Sequence, residues 1–246
     1  MTKNIGVVGL GAMGRGMAAS LRRAGWNVHV CDVRLEAAQA FAVDGGVACA
    51  SPAELATHCE VIVSVVVNAA QTDTVLFGDG GAAAAMQPGS LFVMCSTVDP
   101  NVSVQFEQRL AALGLLYLDA PISGGAAKAA SGEMTMMTSG TPAAYAKAGT
   151  ALDAMAAKVY RLGDQAGNGS KVKIINQLLA GVHIAAAAEA MALGLREGVK
   201  AEDIYEVITH SAGNSWMFEN RMAHVLAGDY TPLSAVDIFV KDLGLV

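Results

Sequence analysis

Little in this chain is aromatic, charged or conformationally rigid. Phe, Trp and Tyr make up 5% of its 246 residues, Asp, Glu, Lys and Arg make up 15%, and there are 6 prolines. The net charge is −6, and the few lysines and arginines are scattered, so no basic patch is available for a phosphate backbone or an acidic membrane surface. Neither nucleic acid nor a membrane is therefore an expected partner. The four cysteines, Cys31, Cys49, Cys59 and Cys95, form no CxxC pair and have no zinc-ligand spacing. Several sit in or beside strand-like runs where a small hydrophobe is wanted, so they read as reduced and structural, and no His/Asp/Glu/Cys cluster suggests a metal. Met1-Thr2-Lys3 leads straight into an apolar strand, with no hydrophobic leader and no small-residue cleavage site. The expectation is a cytoplasmic enzyme of bacterial type.

What is abundant is small and apolar. Hydrophobic residues reach 53% and glycine numbers 27, a composition suited to helices packed closely on a parallel sheet. The length allows two domains, residues 1–163 and 164–246. Asn4 to Val8 is a short apolar run, Gly9-Leu10-Gly11-Ala12-Met13-Gly14 follows, and helical spacing then continues to Gly25. In this strand, glycine turn and helix, Gly9 permits the tight turn, Gly11 lets backbone approach a pyrophosphate, and Gly14 lets helix and strand pack closely. A second strand ends at Asp32, about twenty residues on, where a ribose hydroxyl would be held. That pairing predicts a dinucleotide site, with NAD favoured over NADP because a carboxylate repels a 2′-phosphate; Arg34, two residues later, is the one feature that leans toward NADP.

Val61 to Asn68 and Leu91 to Thr97 are too continuously apolar to have one wet face, as in a parallel sheet covered on both sides. Asn68 and Thr97 would then lie at the carboxyl ends of their strands, either touching the cofactor or capping the chain. Ser51-Pro52-Ala53-Glu54 reads as the start of a helix. Further on come Tyr117 to Gly125, Met134 to Gly140, a helix from Pro142 to Met155, and Val159 to Gly163. Ser123-Gly124-Gly125 is either a plain tight turn or a nest whose N–H groups converge on a carboxylate.

Gly163 to Gly198 opens with a Gly/Asn/Asp loop and continues for about 27 residues without proline, one helix of about 40 Å, long enough to bridge two domains. Asn176, Gln177, His183 and Glu189 would each be costly in lipid, which argues against a membrane span. Lys173, Asn176 and Gln177 share one face. A lysine alone there would be an ordinary snorkelling side chain. After this helix the pattern stays helical, with loops at Gly213-Asn214-Ser215-Trp216 and Gly228-Asp229-Tyr230-Thr231-Pro232, ending in Lys241-Asp242-Leu243-Gly244-Leu245-Val246.

Four motifs, Gly9 to Met17, Asp119 to Met137, Gly167 to Gln177 and Lys241 to Leu245, agree in order and spacing with the β-hydroxyacid dehydrogenases, which include 3-hydroxyisobutyrate dehydrogenase, tartronate semialdehyde reductase and 6-phosphogluconate dehydrogenase. The chain resembles that family over essentially its whole length. The resemblance implies an N-terminal Rossmann-type doubly wound sheet, followed by an all-α domain that is here shorter than the family's. It implies that Lys173 is the general acid/base, and not Lys171, which the helix turns about 160° away. It further implies that Asn176 orients substrate and lysine, that Ser123, Gly124 and Gly125 anchor the substrate carboxylate, and that Lys241, with Asp242 beside it, lies near the nicotinamide. Gln177, expected to touch the substrate, departs from the family's commoner asparagine and carries its amide one methylene further out, which leaves the choice of substrate open. The segments around Asn176 to Gly194 and His210 to Met222 are most similar to the L-threonate dehydrogenase branch, in which a four-carbon sugar acid is oxidised at C2 with NAD. Trp216 and Phe218 would wall the substrate or belong to the core. The same resemblance leaves tartronate semialdehyde reductase and 3-hydroxyisobutyrate dehydrogenase as alternatives; against it stands a reading of another class, a non-catalytic nucleotide-binding redox sensor. A homodimer or tetramer is expected.

Overall fold

The computed structural model describes residues 3–231 and 237–246, and these divide into two compact units, Met1–Lys173 and Ile174–Val246. The first unit opens with β1 (Asn4–Val8), α1 (Gly14–Arg23), β2 (Asn27–Cys31), α2 (Leu35–Val43), β3 (Val47–Ala48) and α3 (Pro52–His58). It continues through β4 (Val61–Ser64), α4 (Ala69–Phe77), β5 (Leu91–Met94), α5 (Pro100–Ala111) and β6 (Leu116–Asp119). These strands form one parallel sheet in the order β3-β2-β1-β4-β5-β6. The order reverses between β1 and β4, so a crevice lies outside their carboxyl ends, and the glycine turn leaves β1 there.

The continuously apolar strands serve two cores at once. Because side chains alternate across a strand, Ile5, Val7, Val61, Val63, Leu91 and Val93 join one core with Met17, Leu21 and Phe41. Val8, Ile62, Phe92 and Met94 face the other, with Leu55, Leu76 and Phe106. Helices thus cover both faces, and no strand face is left for water to select polar residues. Ser51 caps α3 by accepting from the Glu54 N–H, with Pro52 in the first turn, as the sequence suggested.

Two local expectations change. Strands β4 and β5 end at Ser64 and Met94, earlier than their apolar runs, and beyond β4 the backbone of Val66 and Val67 bonds to the side chains of Ser96 and Gln71. Ser96 Oγ donates to the Val66 carbonyl at 2.8 Å and meets Thr72 Oγ1 at 3.1 Å. The stretch Pro142 to Met155 is two helices, α7 (Pro142–Ala148) and α8 (Ala151–Met155), broken where Gly149 takes φ +51°. Between β6 and α7 lie β7 (Ile122–Ser123), α6 (Gly125–Ser131) and β8 (Met134–Thr138), and β9 (Ala156–Arg161) follows α8. Strands β7, β8 and β9 make a second, mixed three-stranded sheet, which the apolar runs did not distinguish from the first.

A long helix, α9 (Asn168–Arg196), begins in the first unit and continues into the second. It is long and apolar enough to cross a bilayer by length and composition. Its buried positions include Ser170, Lys173 and Gln177, however, and these recur at helical spacing with Ala180, Ala187 and Met191. That is one partly polar buried stripe beside an exposed apolar face that includes Ile175, Leu178, Leu179 and Val182. In the second unit α10 (Ala201–Thr209), α11 (Trp216–Leu226) and α12 (Asp237–Leu243) follow. Ala187 and Met191 pack with Phe218 and Met222, flanked by Ile204, Tyr205 and Ile208.

Phe92 is fully buried in the second core. Phe92→Ala should cost about 3–5 kcal/mol, seen in urea as a lower unfolding midpoint with the slope retained.

Candidate active site

The nucleotide end of the site is built by crowding at one point of the backbone and openness at the next. Gly9 has φ +92°, and a Cβ there would lie 2.5 Å from the Val65 carbonyl oxygen. A Cβ on Gly14 would run into the Gly9 carbonyl oxygen, so α1 can start this close only with glycine. A Cβ on Gly11 meets nothing within 4 Å. The chain therefore keeps open the space that a pyrophosphate needs beside the N-terminal end of α1. A cleft of about 580 Å³ lies there, lined by Leu10, Gly11, Ala12, Arg15, Gly16, Ala19, Arg34, Ala126 and Ala130. Met13 occupies the N-cap position of α1.

Asp32, just past β2, braces this turn. Its Oδ2 accepts from the Leu10 N–H at 2.6 Å, and its Oδ1 accepts from the Arg34 N–H at 2.9 Å and lies 3.5 Å from Arg34 Nε. Its side chain is 8% exposed while that of Arg34 is 67% exposed. A carboxylate has about four acceptor positions, so capacity for a ribose hydroxyl remains. These residues fit a dinucleotide.

Asn68 is the N-cap of α4: its Oδ1 accepts from the Gln71 N–H at 2.9 Å, and Gln71 Oε1 accepts in return from the Val67 N–H. The capping alternative is thus what its side chain does here. Thr97 is half-buried, three residues beyond the end of β5. Ser96 beside it is the residue sequence reasoning missed, and its link to Val66 holds the two crest loops together. Ser123 ends β7, and Gly124 (φ +142°) and Gly125 (φ +78°) form the entry to α6. A side chain at Gly124 would press on Lys128 and Met134, whereas a Cβ on Gly125 meets open space.

Lys173 lies on α9 with 6% of its surface exposed. Lys171 is exposed, and its Nζ donates to Asn168 Oδ1 at 3.3 Å. The start of α9 is held by Asp119, the last residue of β6, which is fully buried. Asp119 Oδ2 accepts from the N–H groups of Gly167 and Ser170, each at 2.9 Å, and from Ser139 Oγ at 3.2 Å, while Oδ1 accepts from Ser170 Oγ at 2.7 Å. Burial pushes the Asp119 carboxyl up from its ordinary range, and the bonds from Ser170, Gly167 and Ser139 pull it back. An acid closing an apolar strand, followed by a Gly-Asn-Gly-Ser segment, was the available signal for this clamp.

In the second unit four residues are joined in series. Asn176 Nδ2 donates to Gln177 Oε1 at 3.0 Å, and Gln177 Nε2 donates to Asp242 Oδ2 at 2.6 Å. Lys241 Nζ lies 2.6 Å from Asp242 Oδ1. Asp242 and Gln177 are buried, and Asn176 is half-buried. Phe218 is 3% exposed and stacks on Tyr205 with ring centroids 6.2 Å apart, whereas Trp216, in the first turn of α11, is 53% exposed. The phenyl ring is thus a core residue of this unit.

Residues 4–163 match the family model described as the NAD binding domain of 6-phosphogluconate dehydrogenase, and residues 167–246 match that described as NAD-binding of NADP-dependent 3-hydroxyisobutyrate dehydrogenase. The chain belongs to the β-hydroxyacid dehydrogenase family. It is 69% identical to L-threonate dehydrogenase of Cupriavidus necator, over 100% of this chain and 83% of that protein. It is 51% identical to L-threonate dehydrogenase of Escherichia coli K12, over 99% of this chain and 81% of that one. A solved structure of 3-hydroxyisobutyrate dehydrogenase from Salmonella typhimurium superposes with a TM-score of 0.92 at 54% identity, covering 99% of this chain and 85% of that one. The protein is accordingly an oxidoreductase acting on a CH–OH group with a nicotinamide dinucleotide, which sets aside the non-catalytic sensor.

The open space at Gly11 makes a separable prediction. Gly11→Val should leave thermal stability nearly unchanged, within about 0.5 kcal/mol as for other uncrowded surface positions, because its Cβ meets nothing. The Kd for NADH, read by fluorescence titration, should rise about tenfold or more, since the side chain fills the space beside the turn.

Proposed function

We propose that this enzyme oxidises L-threonate at C2 to 2-oxo-tetronate, with NAD as the oxidant and Lys173 as the general base. The observation that carries the reading is a lysine only 6% exposed on α9 while its neighbour two residues back is exposed and engaged with Asn168. An amine on a side chain withheld from solvent is suited to exchanging a proton with a bound alcohol rather than with bulk water. NAD supplies the acceptor for the hydride leaving C2. Neutral Lys173 Nζ takes the hydroxyl proton as the C2–O bond becomes a carbonyl, and in the reverse direction its ammonium returns that proton to the oxygen. Asn176 orients the substrate oxygen toward the lysine, and its own amide is steadied by Gln177. Ser123 and the N–H groups of Gly124 and Gly125 take the substrate carboxylate, where paired glycines with positive φ open a helix. Lys241 and Thr97 border the nicotinamide end in this reading, and Trp216 is the residue offered to the far end of the substrate.

Asp32 supports NAD over NADP, because a nearly buried carboxylate at the ribose position repels a 2′-phosphate. Residues 1–163 would hold the dinucleotide, and 164–246 would contribute to substrate binding and subunit contact. Exposed Ile175, Leu178, Leu179 and Val182 on α9 support a homodimer or tetramer. Four free, buried cysteines suit a reducing cytoplasm. The branch assignment is supported by the Cupriavidus and Escherichia relatives. The name carried by the Salmonella structure favours 3-hydroxyisobutyrate as the second reading.

Absorbance at 340 nm with NAD, read across L-threonate, 3-hydroxyisobutyrate and glycerate and in reverse with tartronate semialdehyde, should give the highest kcat/KM for L-threonate. A preference for another acid by tenfold would transfer the assignment to it. Lys173→Ala should lower kcat by roughly 10²–10⁴-fold with little change in NADH affinity, while Lys171→Ala stays near the parent. Unchanged turnover in the first variant would remove the lysine from the mechanism.

A further inference from the structure

The proton carrier sits on a helix, and the geometry points to Asp119 as the residue that sets how that helix is turned. We propose that Asp119 is a positioning residue for Lys173: its carboxylate grips the first turn of α9 and thereby fixes the rotation and depth at which the lysine is presented. This rests on the reading of Lys173 as the general base.

Asp119 ends β6, the edge strand of the six-stranded sheet, and its backbone is held on both sides, by pairing with β5 and by two hydrogen bonds exchanged with Ser139 at 3.0 and 2.8 Å. From there one carboxylate accepts the N–H of Gly167, the N–H of Ser170 and the hydroxyl of Ser170. Ser139, across an isolated bridge from Asp119, completes the grip: its hydroxyl donates to Asp119 Oδ2 and accepts from the Gly169 N–H at 2.9 Å. Bonds therefore reach three of the four residues Gly167 to Ser170, and both carboxylate oxygens are used. The glycines of this segment are there for the approach. Gly167 has φ +104°, and a Cβ on Gly169 would lie 3.0 Å from the Asp119 carbonyl oxygen and closer still to that of Met137.

Lys173 is three residues beyond Ser170, one turn along the same helix. A side-chain tip about 6 Å from a helix axis moves roughly 1 Å for a rotation of about 10°, and misplacement on that scale costs up to about a hundredfold in rate. An ordinary N-cap takes one N–H from its own chain neighbours. This one is delivered from 48 residues earlier in the sequence, so it registers the helix against the sheet as well as ending it.

The test uses the whole chain, with Asp119→Asn, Ser170→Ala, Ser139→Ala and the Asp119→Asn/Ser170→Ala double variant beside Lys173→Ala. Asp119→Asn keeps the shape but presents an amide N–H to groups that are themselves donors. Turnover is measured well below each melting temperature, together with NADH affinity and the pH dependence of kcat/KM. The expected result is a kcat lower by about 10–100-fold in Asp119→Asn and by a smaller factor in Ser170→Ala, with NADH Kd within about twofold. The limb of the pH profile that Lys173 governs should shift, and the double variant should be no worse than Asp119→Asn alone, because both remove one interaction. Lower melting temperatures with unchanged kcat and an unmoved pH limb would overturn the proposal, leaving Asp119 a purely structural cap. If Asp119→Asn does not fold, the two serine variants decide, and parental kcat and pH profiles in both would likewise overturn it. Undiminished turnover in Lys173→Ala would instead remove the base assignment on which the proposal stands. An inactive Lys173→Ala with unaffected clamp variants would remove the positioning role alone.

Discussion

A carboxylate buried at the end of a strand is the interaction on which the arrangement of this enzyme depends. Taking Asp119 out of water without a cation beside it would be prohibitive, and burial does raise its pKa. What makes the charge tolerable is a concentration of donors: two backbone N–H groups and two hydroxyls within 3.2 Å. The N-terminal end of a 29-residue helix adds its own partial positive charge. The dependence is mutual. The helix start has N–H groups that need acceptors, and the acid needs donors, so neither could be buried there alone.

The same device appears at the nucleotide end. Asp32 also follows a parallel strand, and it also accepts a backbone N–H from a glycine-rich segment, that of Leu10. In both places a carboxylate at the carboxyl edge of a sheet holds a loop whose glycines are required by close approach. Gly9 and Gly14 make room for backbone, as Gly169 does. Gly11 differs, since the room around it belongs to no atom of the first unit. Rigid support and open space alternate residue by residue along the turn, and a dinucleotide needs that alternation: a shape held firm around a gap.

Much of this could be read from the residues. Continuous apolar runs in β4 and β5 were correctly diagnostic of a sheet covered on both faces, because alternate residues feed separate cores. The glycine turn and Asp32 were legible because their spacing is set by backbone geometry. Three features were not. The second sheet is made of β7, β8 and a largely exposed β9, and periodicity carries no information about which strand pairs with which. The break at Gly149 was hidden by helix-forming alanines on both sides. Asp119 was passed over because its importance lies in partners 48 and 51 residues away, and spacing along one element cannot show such contacts.

Gln177 shows how a long-range partner changes the meaning of a local substitution. From the sequence, its extra methylene compared with asparagine leaves the choice of substrate open. In the second unit that length carries the amide to Asp242, while its carbonyl oxygen takes the neighbouring Asn176. An amide oriented by an acceptor on one side and a donor on the other cannot flip without breaking both bonds. The order therefore runs from Lys241 and Asp242 on α12, through Gln177, to the Asn176 side chain, and a change at any member would be felt at the others. What a substitution at Gln177 does is therefore set by the series as a whole, through the bonds it makes to Asn176 and Asp242.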